Sequence, residues 1–165
     1  MKVLIFLSLF ILISGSLFSQ DFEKSIGATM GASRSLYFEV QKDPLTSHRF
    51  MLQNRDNGYT FTALKIFRRY DIAQLPEFIS LYYGYGAHGG FVTWERTINE
   101  NSADEEDLPF ISPVFGFDGI VGLSYAIEKT PLSITCDAKP FFEFGGPRIF
   151  RVAPIYFSVG ANLTF

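Results

Sequence analysis

Residues 155–165 limit what this chain can fold into more than any other stretch. Ile155, Phe157, Val159, Ala161, Leu163 and Phe165 form one apolar set. The residues between them, Tyr156, Ser158, Gly160, Asn162 and Thr164, are polar or small, apart from the amphipathic Tyr156. Period-two alternation of this kind is a β-strand with one apolar and one wet face. A terminus usually frays. Here it carries the cleanest strand pattern in the sequence and finishes on an aromatic residue.

The opposite end reads as a secretory signal peptide, residues 1–19, which leaves a mature domain of residues 20–165. Met1-Lys2 is the positive region, Val3 to Ile13 is apolar apart from Ser8, and small or polar residues follow to Gln20. The apolar part is too short to span a membrane. Cleavage after Ser19 is expected, with Gln20 as the alternative position and a retained anchor as the alternative fate. No cysteine lies near the cut, so a lipoprotein anchor is excluded.

The remaining length suits one domain. No later segment has eighteen apolar residues in a row, so an exported membrane protein built from it must span with strands closed on themselves. Loss of Lys2 with the leader leaves 13 of 14 Lys and Arg against 17 Asp and Glu, an acidic balance that gives no reason to expect nucleic-acid binding. Cys136 is the single cysteine, so no internal disulfide forms. Nineteen Phe and eight Tyr suit aromatic girdles.

Alternation predicts seven earlier strands. The first, 25–32, sets Ile26, Ala28, Met30 and Ala32 against Gly27, Thr29 and Gly31. The second, 36–41, sets Leu36, Phe38 and Val40 against Tyr37, Glu39 and Gln41, and turn chemistry follows at 43–47. The third, 49–55, ends in Asp56-Asn57-Gly58, the strongest hairpin signal present. In the fourth, 59–70, Leu64 and Ile66 compete with Phe61, Ala63 and Phe67, which leaves its phase open.

The fifth strand, 77–95, turns Tyr83, Tyr85 and Phe91 outward and Tyr82, Gly86 and His88 inward. An acidic polar stretch, 96–112, reads as a solvated loop. The sixth, 114–128, turns Phe115, Phe117, Val121, Leu123, Tyr125 and Ile127 outward, with Asp118, Ser124 and Glu128 among the inward set. The seventh, 132–144, turns Cys136, Phe142 and Phe144 outward and Asp137, Lys139 and Glu143 inward. Pro140 lacks a ladder donor, so a bulge is expected there. With the closing strand this makes eight, an even number suited to an all-β, closed antiparallel up-and-down transmembrane barrel. If both termini are periplasmic, connections at 33–35, 56–58, 96–112 and 145–154 lie outside and those at 42–48, 71–76 and 129–131 lie inside.

Three segments carry a family resemblance: Gly84-Tyr85-Gly86-Ala87-His88-Gly89-Gly90-Phe91, Gly116-Phe117-Asp118-Gly119 continuing to Tyr125, and Pro131-Leu132 continuing through Asp137-Ala138-Lys139-Pro140. In that order they resemble the small outer-membrane β-barrels of the OmpA/OmpX kind, in particular a short Gly-rich group of unassigned function. Members usually carry Trp where Ala138 stands. The resemblance implies a gram-negative outer-membrane location, contact with outer-membrane lipid, and a terminal strand whose Phe157, Val159, Leu163 and Phe165 are read by the barrel-assembly machinery.

His88, Asp118, Asp137, Lys139 and Glu143 all point inward on neighbouring strands, with Glu39 as a further neighbour. Charges in a narrow lumen must pair, so a polar network plugging the barrel is the expectation, ahead of a proton path or small-ion site. His88 with Ser124 or Ser133 could be drawn as a lipase-like pair, but no nucleophile elbow is present. His48 is placed in a turn without a partner at metal spacing, and Asp104 to Asp107 lack an ordered calcium-loop spacing. No metal, cofactor or catalytic residue is expected. Lys65, Arg68 and Arg69 near a strand end are candidates to meet lipid phosphates. The leading function is structural or surface-interacting, with contact to an extracellular partner through 96–112. The alternatives are a soluble exported lipocalin-like barrel holding an apolar ligand, a membrane-embedded lipid hydrolase or transferase, and a small-solute pore.

Overall fold

Each alternating segment pairs with the next in chain order, and the last returns to the first. The computed structural model describes residues 23–55, 57–70, 72, 76, 78–97, 107–146 and 150–165. Its strands are β1 (Lys24–Gly31), β2 (Arg34–Asp43), β3 (Thr46–Arg55), β4 (Gly58–Arg69), β5 (Ile79–Thr97), β6 (Asp107–Ala126), β7 (Leu132–Gly145) and β8 (Phe150–Thr164). They form a closed antiparallel barrel in the order β1 to β8. The closing seam pairs Ser25 with Thr164 and Gly31 with Ser158. Lys24 and Phe165 exchange backbone hydrogen bonds of 3.1 and 2.8 Å, which carries the seam to the final residue.

The barrel is apolar outside and polar inside. Ile155, Phe157, Val159 and Leu163 on β8 and the following Phe165 are all exposed, Phe157 at 65%. Across the wall Phe117 is exposed at 64%, while inward Glu39, Arg49, Asp118 and Glu143 are buried. The outward and inward sets expected for β1, β2, β7 and β8 are those observed, except that Gly31 at the end of β1 is exposed. The fourth strand's phase is now defined: Tyr59 and Phe61 face out, and Leu64 and Ile66 face in. They pack with Tyr37, Met51, Tyr82 and Ile120 in a small apolar cluster inside the lumen. Both faces of β4 are therefore apolar near its middle, which is why alternation left its phase undecided.

Most connections are shorter than the sequence pattern implied, because strand pairing continues into polar segments. Asp43 pairs with Thr46, so the expected turn at 42–48 shrinks to Pro44-Leu45. His48 thus sits in β3 facing outward, which corrects its assignment to a turn. Of the solvated loop expected at 96–112, residues 96–97 and 107–112 are strand instead, because β5 and β6 remain paired as far as Thr97 and Asp107, and 98–106 lies outside the described residues. Residues 92–97 and 107–113 extend beyond the pairings of β4 and β7, which end at Phe91 and Val114, as a two-stranded ribbon. The loop 145–154 shrinks likewise, because β8 begins at Phe150. Ile127 and Glu128 leave β6 and belong to the following turn, correcting their assignment to the strand.

Two local expectations hold. Asn57 has a φ of 53°, the left-handed conformation its hairpin demands. The β7–β8 register shifts between Lys139 and Phe141, around Pro140. The signal segment, the cleavage point, Asp56 and Asp104 to Glu106 lie outside the described residues.

Gly122 illustrates how tightly the interior is filled. A Cβ there would stand 2.6 Å from Tyr82 Cζ and 2.7 Å from Asp137 Cβ. Gly122→Val is expected to destabilise the barrel by about 1–3 kcal/mol through overpacking. On the outer face, a Cβ at Gly89 would meet only the Val114 carbonyl oxygen at 3.9 Å, so Gly89→Ala should change stability by no more than ~0.5 kcal/mol. Urea titration of the refolded protein compares the two.

Candidate functional site

The inward side chains of β2 to β8 build three polar groups along the lumen. Nearest the end opposite the chain termini, His88 on β5 places Nδ1 2.8 Å from Asp118 Oδ2 on β6 and Nε2 3.2 Å from Glu143 Oε2 on β7. Arg55 at the end of β3 donates to the same Glu143 carboxylate. Its guanidinium carbon lies 4.2 Å from the Phe141 ring centroid. Lys139 Nζ lies 3.3 Å from Asp118 Oδ1 and donates to Gln53 Oε1. Gln53 also accepts from Thr62 at 3.1 Å and donates to Ser33 at 3.3 Å. These contacts link β3 through β7, with Ser33 just before β2, into one network.

Asp137 belongs elsewhere. It accepts from Tyr82 OH at 2.9 Å and from Ser158 Oγ at 2.6 Å, in a second group. The third group lies toward the end that carries the termini. There Glu39 accepts from Ser47 Oγ at 2.5 Å and Arg49 Nε at 2.8 Å, and also from Arg68. Arg49 is fully buried, its guanidinium carbon 4.4 Å from the Tyr37 ring centroid and 5.0 Å from that of Tyr82. Beyond it a vestibule of about 400 Å³ opens at the mouth, lined in part by Ser25, Glu39, Arg68, Ser80, Ser124 and Asn162.

Charge in this interior is nearly balanced. Among the described residues, the carboxylates of Glu39, Asp118, Asp137 and Glu143 stand against Arg49, Arg55, Arg68 and Lys139. Half-buried Arg151 adds a cation near the far end, where it donates to Tyr156 OH at 2.7 Å. A buried charge without a partner is very costly, so sequence patterning that turns four acids inward requires bases facing them. The arrangement can fix strand register and fill the bore.

Of the five lumen residues expected from the sequence, His88, Asp118, Lys139 and Glu143 form one group and Asp137 stands in another. Arg49, Gln53 and Arg55 were missed. The available signal was parity, since they alternate with outward Phe50, Leu52 and Asn54 on β3. Arg68, expected to meet lipid phosphate, turns inward to Glu39 instead, while Arg69 is exposed. The His88–Ser pairing does not form: His88 stands opposite Gly116, and Ser124 lies eight residues further along β6, opposite Ser80.

No protein-family model and no curated protein matches the chain. Among solved structures it is similar to the N-terminal β-barrel domain of Pseudomonas aeruginosa OprF, at 12% identity and a TM-score of 0.49, over 87% of this chain and 96% of that one. It is also similar to Neisserial surface protein A (NspA), at 14% identity and a TM-score of 0.48, over 87% of this chain and 94% of that one.

The network predicts strong coupling between its members. Lys139→Met removes the cation beside Asp118 and should destabilise the barrel by about 3–5 kcal/mol. Combining it with Asp118→Asn should cost less than the sum of the two single changes, measured as a double-mutant cycle by urea unfolding.

Proposed function

We propose that this chain is an integral outer-membrane β-barrel with a structural and surface-contact role, closed to solutes and without catalysis. The observation that carries the reading is the polarity of the wall, with aromatic and aliphatic side chains outside and charged pairs inside. Lipid has no hydrogen bonds to offer, so a wall closed on itself and apolar on its outer face is stable there. In water the same wall would expose an apolar surface far larger than soluble monomers carry. A lipocalin-like binder needs the reverse, an apolar bore to receive its ligand. Fully buried Arg49, Tyr82 and Phe141 within the bore argue against a standing pore.

The β5–β6 ribbon beyond the barrel is the surface we assign to contact with an extracellular partner. The exposed apolar row Phe157, Val159 and Leu163 of β8, with Phe165 after it, is the surface we assign to the barrel-assembly machinery.

Fractionation tests the reading. The protein should pellet with membranes, require detergent for extraction and migrate faster on gels when unboiled; recovery in the soluble periplasm with no mobility shift would sink it. Val121→Lys on the outer wall should destabilise by ~2–4 kcal/mol if that position meets the hydrocarbon midplane. An epitope inserted within 98–106 should be reached by antibody on intact cells. Access only after permeabilisation would reverse the orientation.

A further inference from the structure

We propose that the outer wall of β3 and β4, at the end carrying the termini, binds the headgroup of an anionic phospholipid. The proposal rests on the membrane reading above and adds a lipid class and a binding surface to it.

Most of the outer wall in this region is apolar, and the exceptions cluster. Lys65 and Arg69 on β4 share the outward parity of Tyr59 and Phe61, and His48 on β3 pairs directly with Lys65. Lys42, exposed at the end of β2, lies on the same side of the barrel. Among the described residues, neither Lys65 nor Arg69 has an ion-pair partner. Among the described residues, Glu39 faces inward to Arg49 and Arg68, and Asp43, exposed at the end of β2, accepts from the Leu45 amide at 2.9 Å through Oδ1. Cations that outnumber the described carboxylates on an apolar wall call for an anion from outside.

The local shape suits a lipid more than a free ion. A groove of about 570 Å³ runs between Leu45, Phe67, Tyr83, Tyr70, Arg69 and the stem of Arg68. Lys65 Nζ lies 5.2 Å from the Phe67 ring centroid, so the ammonium leans toward the barrel's terminal end and the expected headgroup level. Phe67 stacks on Tyr83 at 5.6 Å between ring centroids, and exposed Tyr85 stands opposite Lys65. Aromatic rings beside cations mark the level at which an apolar wall meets headgroups. Below that level, exposed Phe50 and Phe61 offer acyl chains an apolar track. With Lys42, Lys65 and Arg69 set against Asp43 among the described residues of this wall, the site favours a net-negative headgroup over a zwitterionic one.

Native mass spectrometry of the full mature chain, extracted from vesicles of mixed phosphatidylcholine and phosphatidylglycerol, tests the assignment. The parent should retain phosphatidylglycerol preferentially, and each of Lys65→Gln and Arg69→Gln should weaken retention about fivefold. Arg34→Gln, at the other end of the wall, should leave retention unchanged. Equal retention of the two lipids, or unchanged preference in the double variant, would overturn the site. Displacement by excess inorganic phosphate would also overturn it, by making it a free-anion site. An unboiled gel of the same sample separates the two readings. A folded barrel without lipid preference refutes this inference alone, whereas failure to insert into any vesicle refutes the membrane reading and this inference with it.

Discussion

Closure of an eight-stranded sheet sets the terms for everything else in this molecule. The β1–β8 seam pairs its edges from Ser25 to Gly31, so neither strand presents an unpaired ladder. A circumference of eight strands leaves a bore only just wide enough for side chains. Every inward residue therefore has to fit against the others, in volume and in charge. Glycines such as Gly122 supply space for Tyr82, and the acids of β6 and β7 meet bases from β3 and β7. The lumen network follows from closure as its electrostatic counterpart.

Much of this was legible in the sequence because alternation is strictly enforced where one face of the wall is apolar and the other lines a polar bore. Residues 155–165 are the clearest case, and every apolar member of that set faces outward. Legibility failed where the two faces stopped differing. Leu64 and Ile66 belong to an apolar cluster inside the bore, so β4 lacks contrast between its faces. It failed again at strand ends, where 96–97 and 107–112, expected as loop, continue a backbone ladder that does not depend on side-chain alternation.

The candidate site was legible in part for a related reason. Inward acids can be counted from parity, which gave His88, Asp118, Lys139 and Glu143 as neighbours on β5, β6 and β7. Partners across the bore depend on strand tilt and stagger, which no local pattern encodes. Thus Arg55 reaches Glu143, distant in sequence, and Asp137 turns to Tyr82 and Ser158 rather than to its expected group. Arg68 shows the same limit at one residue's resolution, because a position near a strand end can face headgroups or the bore, and Glu39 decides it.

Among the described residues, the ribbon formed by β5 and β6 beyond the barrel has two edges that β4 and β7 do not pair, and their chemistry is unlike. Its β6 strand carries Pro109 and Pro113, four residues apart and therefore of the same parity, opposite Glu95 and Phe91. The β5–β6 ladder runs through both positions without a register shift, so their donorless nitrogens point away from β5, to the edge that β7 does not cover. That edge offers few hydrogens to an approaching strand, whereas residues 92–97 on the other edge contain no proline. Growth by added strands is thereby blunted on one side of the ribbon, and any sheet that forms there extends in a single direction.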